Sequence, residues 1–194
     1  MSRALRILLV EDEPVDVMAF QRVVRKRALN VDLTVVGPPS ADLSSASLVD
    51  ADLRAARLDG VDFSLADLTR ADLVGASLVG SVLTGANLSD VVLDFADLSG
   101  AQASGVDLTG AVMTNANLAG ADLRGAILSG VIGLGNTAGS AIYDASTDFS
   151  NASTGGPGSA PFDPAAAGWS LVPEPGSALL IGLGLTALAS TRRR

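Results

Sequence analysis

Apolar and polar positions recur with a period of five from Ala41 to Gly130. The first block is Ala41-Asp42-Leu43-Ser44-Ser45 and the last is Ala126-Ile127-Leu128-Ser129-Gly130, so one register holds for 90 residues, or 18 blocks. The third residue of each block is Leu except at Phe63, Ala103 and Met113, and the first is Ala except at Val61, Ser81, Val91 and Val106. A helix of 3.6 residues per turn would scatter these leucines around its circumference, and a flat strand would flip them between faces. A register held this long predicts a repeat architecture. Each block reads as one short extended edge followed by a corner. The first and third residues point inward, the second points outward, and the fourth and fifth turn the chain. Ten blocks end in Gly, which supplies the positive φ that a corner asks for. Small first residues and large third residues alternate in a narrow core, and each coil hydrogen-bonds to the next.

Blocks such as Ala66-Asp67-Leu68-Thr69-Arg70 and Ala121-Asp122-Leu123-Arg124-Gly125 resemble the pentapeptide-repeat family, whose pattern is A(D/N)LXX. The resemblance implies a mainly β fold: a right-handed quadrilateral β-helix with four blocks per coil. Eighteen blocks then make four and a half coils, a column about 20 Å tall at ~4.8 Å per rung. Blocks twenty residues apart stack. One side is therefore expected to carry the column Asp52, Asp72, Val92, Val112, Ile132, acidic below and apolar above, with the corner residue Phe95 beside Val92 and Val112. This patch, Val92, Phe95, Val112 and Ile132, is a candidate interaction surface for a homodimer or another partner, unless the chain that follows the repeats folds back over it. Asp42 is expected to stack on Asp62, a modest and screened like-charge cost.

The flanks are of another kind. Arg6-Ile7-Leu8-Leu9-Val10 reads as a buried strand, Pro14 to Ala28 as a helix with Val17, Phe20 and Val24 on one face, and Val31 to Val36 as a second strand. This β-α-β fragment, 1–36, resembles the truncated start of a response-regulator receiver domain. The resemblance implies that Glu11 and Asp12 stand where that family helps to hold Mg²⁺, which makes them a weak candidate pair for a metal. Two carboxylates without further oxygen ligands bind a divalent ion poorly, and no metal is expected. The strands that carry that family's phosphate-accepting Asp and essential Lys are missing, and the one Lys in the chain is Lys26. A fragment that covers the open end of the solenoid is the simpler expectation. Residues 1–20 do not read as a secretory signal, because the apolar run is short and ends in three acids, whereas a signal core takes roughly 7–15 apolar residues. Gly37-Pro38-Pro39-Ser40 is a linker.

The repeat region is placed at 41–135. Residues 136–171, rich in Gly, Ala, Ser, Thr and Asn, read as a flexible linker with scattered aromatic anchors, Tyr143, Phe149, Phe162 and Trp169. From 172 the chain reads Val172-Pro173-Glu174-Pro175, then sixteen uncharged residues, then Arg192-Arg193-Arg194. Sixteen is short for a spanning helix, for which about 20 is usual, and the closing arginines follow the positive-inside pattern. A C-terminal hydrophobic helix is expected. Motif, apolar stretch and arginine cluster, 172–194, together resemble the PEP-CTERM sorting signal of Gram-negative bacteria. The resemblance implies export, transient membrane anchoring, cleavage near the motif by an exosortase-type enzyme, and a place at the cell surface or in an extracellular matrix of protein and polysaccharide. An N-terminus without an export signal speaks for the cytoplasm instead.

Composition narrows the chemistry. The 194 residues include no Cys and no His, which removes disulfides, thiolate metal sites and the commonest general base. No catalytic constellation, no cofactor and no nucleic-acid partner is expected. The formal net charge is −8, and the repeats supply it with twelve Asp against Arg54, Arg57, Arg70 and Arg124. The reading that fits best is a non-enzymatic structural or interaction scaffold that is exported. The alternatives are an acidic DNA-mimic-like inhibitor of a DNA-binding enzyme, which the pentapeptide resemblance allows, and a degenerate phosphorelay fragment.

Overall fold

The computed structural model describes residues 5–10, 31–36, 42–155 and 159–173. In the repeats, the second residue of each block pairs in parallel with its counterpart twenty residues on: Asp42 with Asp62, Ser47 with Asp67, Asp52 with Asp72, Arg57 with Ser77. Four blocks of five therefore close one coil, and the column has four sides. Parallel rungs joined through crossovers take the right-handed sense.

The hydrogen bonds explain why five residues suffice. The third residue donates its N–H to the second-place carbonyl of the next coil, as Leu43 does to Asp62 at 2.7 Å. The second residue donates back to the first-place carbonyl of the coil before, as Asp67 does to Ala46 at 2.8 Å. The corner closes when the next first-place N–H returns to the third-place carbonyl, as Ala46 does to Leu43 at 3.0 Å. The fifth residue turns through the left-handed region, with φ 65 at Gly100. Inside, Leu43, Leu58, Phe63, Leu73, Leu93, Leu118 and Leu128 are fully buried, with the small first-place residues between them. Burying a leucine contributes about 1.5–3 kcal/mol, so the inner ladder is the main source of stability. Ser81 is the one buried polar side chain at such a place among the described residues, and its Oγ has no hydrogen-bond partner.

The column runs past residue 135, so the flexible linker expected over 136–171 is corrected. After a 3-10 turn at Leu134–Asn136, Ala138 pairs with Asn117, Ile142 with Asp122 and Asp148 with Ile127. Two of these pairs are twenty-one residues apart rather than twenty, and the extra residues are taken up in turns. The inward pattern persists with different side chains: Ala141 and Ala152 keep the small buried first place, while Tyr143 and Phe149 take the third. A register of backbone hydrogen bonds survives the loss of the leucine signature.

The chain then crosses the top. Ser153 pairs antiparallel with Pro161, and Phe162 donates to the Ala152 carbonyl at 3.0 Å. Two further strands, β1, Leu5–Val10, and β2, Val31–Val36, form a separate parallel pair with Leu5 opposite Val31 and Val10 opposite Val36. A strand is expected from the sequence at each of these two places, and no more of the N-terminal fragment lies within the described residues. Two short strands close the end of the column: β3, Ile142–Tyr143, pairs in parallel with β4, Ser170–Leu171. The helix expected over 14–28, the linker 37–40 and the C-terminal hydrophobic helix lie outside the described residues.

Candidate interaction surface and C-terminal motif

The acidic second place has a structural use that the repeat pattern does not announce. Its side-chain oxygen accepts the N–H of the fourth residue and so braces the corner: Asp62 Oδ1 takes Ser64 N–H at 2.8 Å, Asp97 takes Ser99 at 2.9 Å, and Asn117 takes Ala119 at 3.1 Å. This is an Asx turn, in which the side-chain oxygen imitates a backbone carbonyl. Asp42 and Asp62 stack as expected, and each is spent on its own corner. The Ser44 hydroxyl and backbone hold the Asp42 carboxyl below its ordinary range.

Asp52, Asp72, Val92, Val112 and Ile132 form one continuous run of parallel bridges. In the lower part Arg54 clamps Asp52 through Nε and Nη2 at 2.8 and 2.6 Å and reaches Asp72 at 3.5 Å. At the adjoining corner Arg70 clamps Asp50 at 2.7 and 2.8 Å, one coil to the next. On another side Arg124 clamps Asp122. These guanidinium contacts depress the carboxyl pKa of Asp52, Asp50 and Asp122 and raise those of their arginines. The pairs are exposed, so each adds little to stability. Their larger effect is to cancel part of the surface charge.

In the upper part the outward residues are the half-buried Val92, Val112 and Ile132. None of them can brace its corner as an aspartate does. At Val112 the gap is filled from below, where Asp94 Oδ1 accepts the Thr114 N–H at 2.8 Å. Phe95 sits at the corner of this side with φ 61 and is 65% exposed. A bulky residue in the left-handed region costs about 1–2 kcal/mol, and most of its ring stays in solvent. Leu65, with φ 59 and 69% exposure, repeats this combination at another corner.

At the C-terminal end, Val172 is half-buried and donates its N–H to the Tyr143 carbonyl at 2.8 Å, and Pro173 is exposed. Glu174, Pro175 and Arg192, Arg193 and Arg194 lie outside the described residues, as do Glu11 and Asp12. Among the described residues no cluster of three or more acidic side chains is placed to hold a metal ion, and no helix is long and apolar enough to cross a membrane.

A family model of pentapeptide repeats matches eight copies over residues 40–73, 62–94, 71–110 and 92–130. A model of the PEP-CTERM protein-sorting motif matches residues 171–194. No curated protein matches the chain. Among solved structures, a pentapeptide repeat protein from the thylakoid lumen of Arabidopsis thaliana is 28% identical, over 58% of this chain and 69% of that one, with a TM-score of 0.47. The pentapeptide repeat protein Rfr23 from the cyanobacterium Cyanothece 51142 is 26% identical, over 75% and 84%, with a TM-score of 0.35. HetL, from the cyanobacterium Nostoc sp. strain PCC 7120, is 22% identical, over 65% and 77%, with a TM-score of 0.32.

Proposed function

The chain is built on pentapeptide repeats and carries a PEP-CTERM protein-sorting motif, and we propose that it is a non-enzymatic interaction scaffold exported to the cell surface or extracellular matrix and processed by an exosortase. The observation that carries this reading is the union of the two parts: a closed, hydrogen-bonded column that leads within one residue of its last rung into the sorting motif. The column supplies a rigid, slender body, and the motif supplies an address. Membrane anchoring before the cut falls to the apolar stretch after Pro175.

The contact surface of this scaffold is the stack of Val92, Val112 and Ile132 with Phe95. Two features favour it over an idle face. The valines and the isoleucine give up the corner brace that aspartate provides at many other blocks, and Phe95 accepts both exposure and a left-handed backbone. The partner is a matrix protein or polysaccharide, or a second copy of the chain. The stacked side chains are already half-buried by neighbouring rungs, so the contact is modest in area.

A DNA-mimic role draws on the net charge of −8, but many of these acids are occupied with corners and arginines. The test of the scaffold reading is the double variant V92D/V112D in the exported protein. Retention in the surface fraction is expected to fall while thermal unfolding stays within about 1 kcal/mol, because the carboxylate of V92D can brace its own corner and that of V112D stands beside a Thr114 N–H already bonded to Asp94. Retention equal to the parent's takes the stack out of the account.

A further inference from the structure

We propose that β4 and Trp169 form a latch that withholds the sorting motif from its processing enzyme until β4 peels away from the column. The proposal rests on the sorting reading above and adds to it a condition for the cut.

The latch is built by the crossing of the column's top. Asp163 Oδ1 accepts the N–H groups of Ala165 and Ala166 at 2.9 and 3.2 Å, Ala167 donates to the Asp163 carbonyl at 3.0 Å, and Trp169 donates to the Pro164 carbonyl at 2.9 Å. Gly168 reverses the chain with φ 77. This turn delivers the Trp169 ring onto Phe162 and Phe149, with centroids 5.0 and 5.9 Å away, and Phe149 meets Tyr143 edge-on at 5.6 Å. Trp169 and Phe162 are buried and close the top of the core. From there β4 runs along β3, held by Ser170 N–H to the Ala141 carbonyl at 2.9 Å and Val172 N–H to the Tyr143 carbonyl at 2.8 Å.

The motif begins where this attachment ends. Val172 is at once the last residue on the ladder and the first of Val172-Pro173-Glu174-Pro175. Pro173 keeps Val172 extended, the form in which an enzyme takes a peptide along an edge of its own. Such binding needs the backbone of Val172 and the residues before it, and the N–H groups of Ser170 and Val172 are spent on Ala141 and Tyr143. Pro173 follows Val172 directly, so the motif starts within about 3.8 Å of the last residue on the ladder. Opening is local. Ser170 is exposed and Leu171 is 55% exposed, so β4 itself buries little, and two hydrogen bonds with one indole hold it. Such an element opens well below the cost of global unfolding. The cut breaks one peptide bond near the motif. The tail leaves as the amine, and water or an acceptor nucleophile takes the acyl carbon. β4 stays with the mature column and can close again.

The test compares processing rates of full-length chains in cells that hold an exosortase. The chain has no cysteine of its own, so I142C/S170C places a single disulfide across paired positions; neighbouring strands are about 4.8 Å apart, within disulfide reach. Oxidised, this chain is expected to be cut at least about tenfold more slowly than the parent, and reduction is expected to restore the rate. A second chain with about eight Gly and Ser residues and then a further Val inserted between Val172 and Pro173 keeps Val172 on the ladder and presents an intact Val-Pro-Glu-Pro sequence beyond the cap. It is expected to be cut faster than the parent, and to remain so when locked. Equal rates for parent, locked and inserted chains overturn the latch and leave the sorting reading standing. No cut in any of them, the inserted chain included, overturns the sorting reading and the latch with it.

Discussion

The carboxylate of Asp94 accepts the backbone N–H of Thr114 one coil above, at 2.8 Å. Thr114 is two residues beyond Val112, whose side chain cannot brace that corner. Asp94→Ala is therefore expected to destabilise the column by about 1 kcal/mol. V112D offers a carboxylate within the block itself, so the pair D94A/V112D is expected to recover most of that loss. A double-mutant cycle by denaturant unfolding measures the coupling; purely additive effects would show that the bond from Asp94 does not replace the missing brace.

Ser81 stands at a first place that is Ala in fourteen blocks, fully buried with an unpartnered hydroxyl. Ser81→Ala removes the unmatched polar atom and leaves the Cβ in place. It is expected to stabilise the fold by about 1 kcal/mol or more, read as a rise in the thermal midpoint. A fall in the midpoint would mean that the hydroxyl finds a partner in solution.

Phe95→Gly separates stability from contact. Glycine adopts φ 61 without strain, and the exposed ring contributes little burial. Thermal unfolding is expected to be unchanged or slightly raised, because relief of about 1 kcal/mol of strain offsets the extra freedom of the unfolded chain. Surface retention is expected to drop. A clear loss of stability with unchanged retention would make Phe95 a packing residue instead.

The carboxyls of Asp50, Asp52 and Asp122 are depressed by hydrogen bonds from Arg70, Arg54 and Arg124, and that of Asp144 chiefly by the Ser146 hydroxyl. A lowered folded-state pKa means that protons bind more readily to the unfolded chain. The contribution to stability is thus present above the ordinary carboxyl pKa of about 3.9 and is lost as the pH falls through the lower folded-state values. Denaturation midpoints should be flat from neutral pH to about 5 and fall below about 4. R124Q is expected to flatten that fall, because Asp122 then titrates nearer its ordinary range.

The period of five marks a coiled repeat with an inner ladder, the resemblance to pentapeptide-repeat proteins adds the four-sided coil, and the stack from Asp52 to Ile132 follows from the two together. Two things are not legible in it. The aspartates look like solvated surface, because a pattern of residue types does not say that Asp62 Oδ1 points back at Ser64 N–H. The column also extends beyond the end that the pattern marks, because Tyr143 and Phe149 replace leucines there and turns at 134–136 and 144–147 break the spacing. The ladder is made by backbone groups, which any extended residue supplies, so it outlasts the side-chain signature that reveals it. The members of the surface patch are readable from the stacking rule, while the left-handed φ of Phe95 and the brace from Asp94 to Thr114 emerge only in three dimensions.

The most direct test of an exported, processed scaffold is the intact mass of the chain, measured separately in the cytosolic fraction and at the cell surface or in the medium of a host with an exosortase. The expected result is a surface or extracellular product shorter than the 19.4 kDa chain, ending near Pro175 and lacking the apolar stretch and Arg192-Arg193-Arg194. Full-length chain found in the cytosol alone would contradict it.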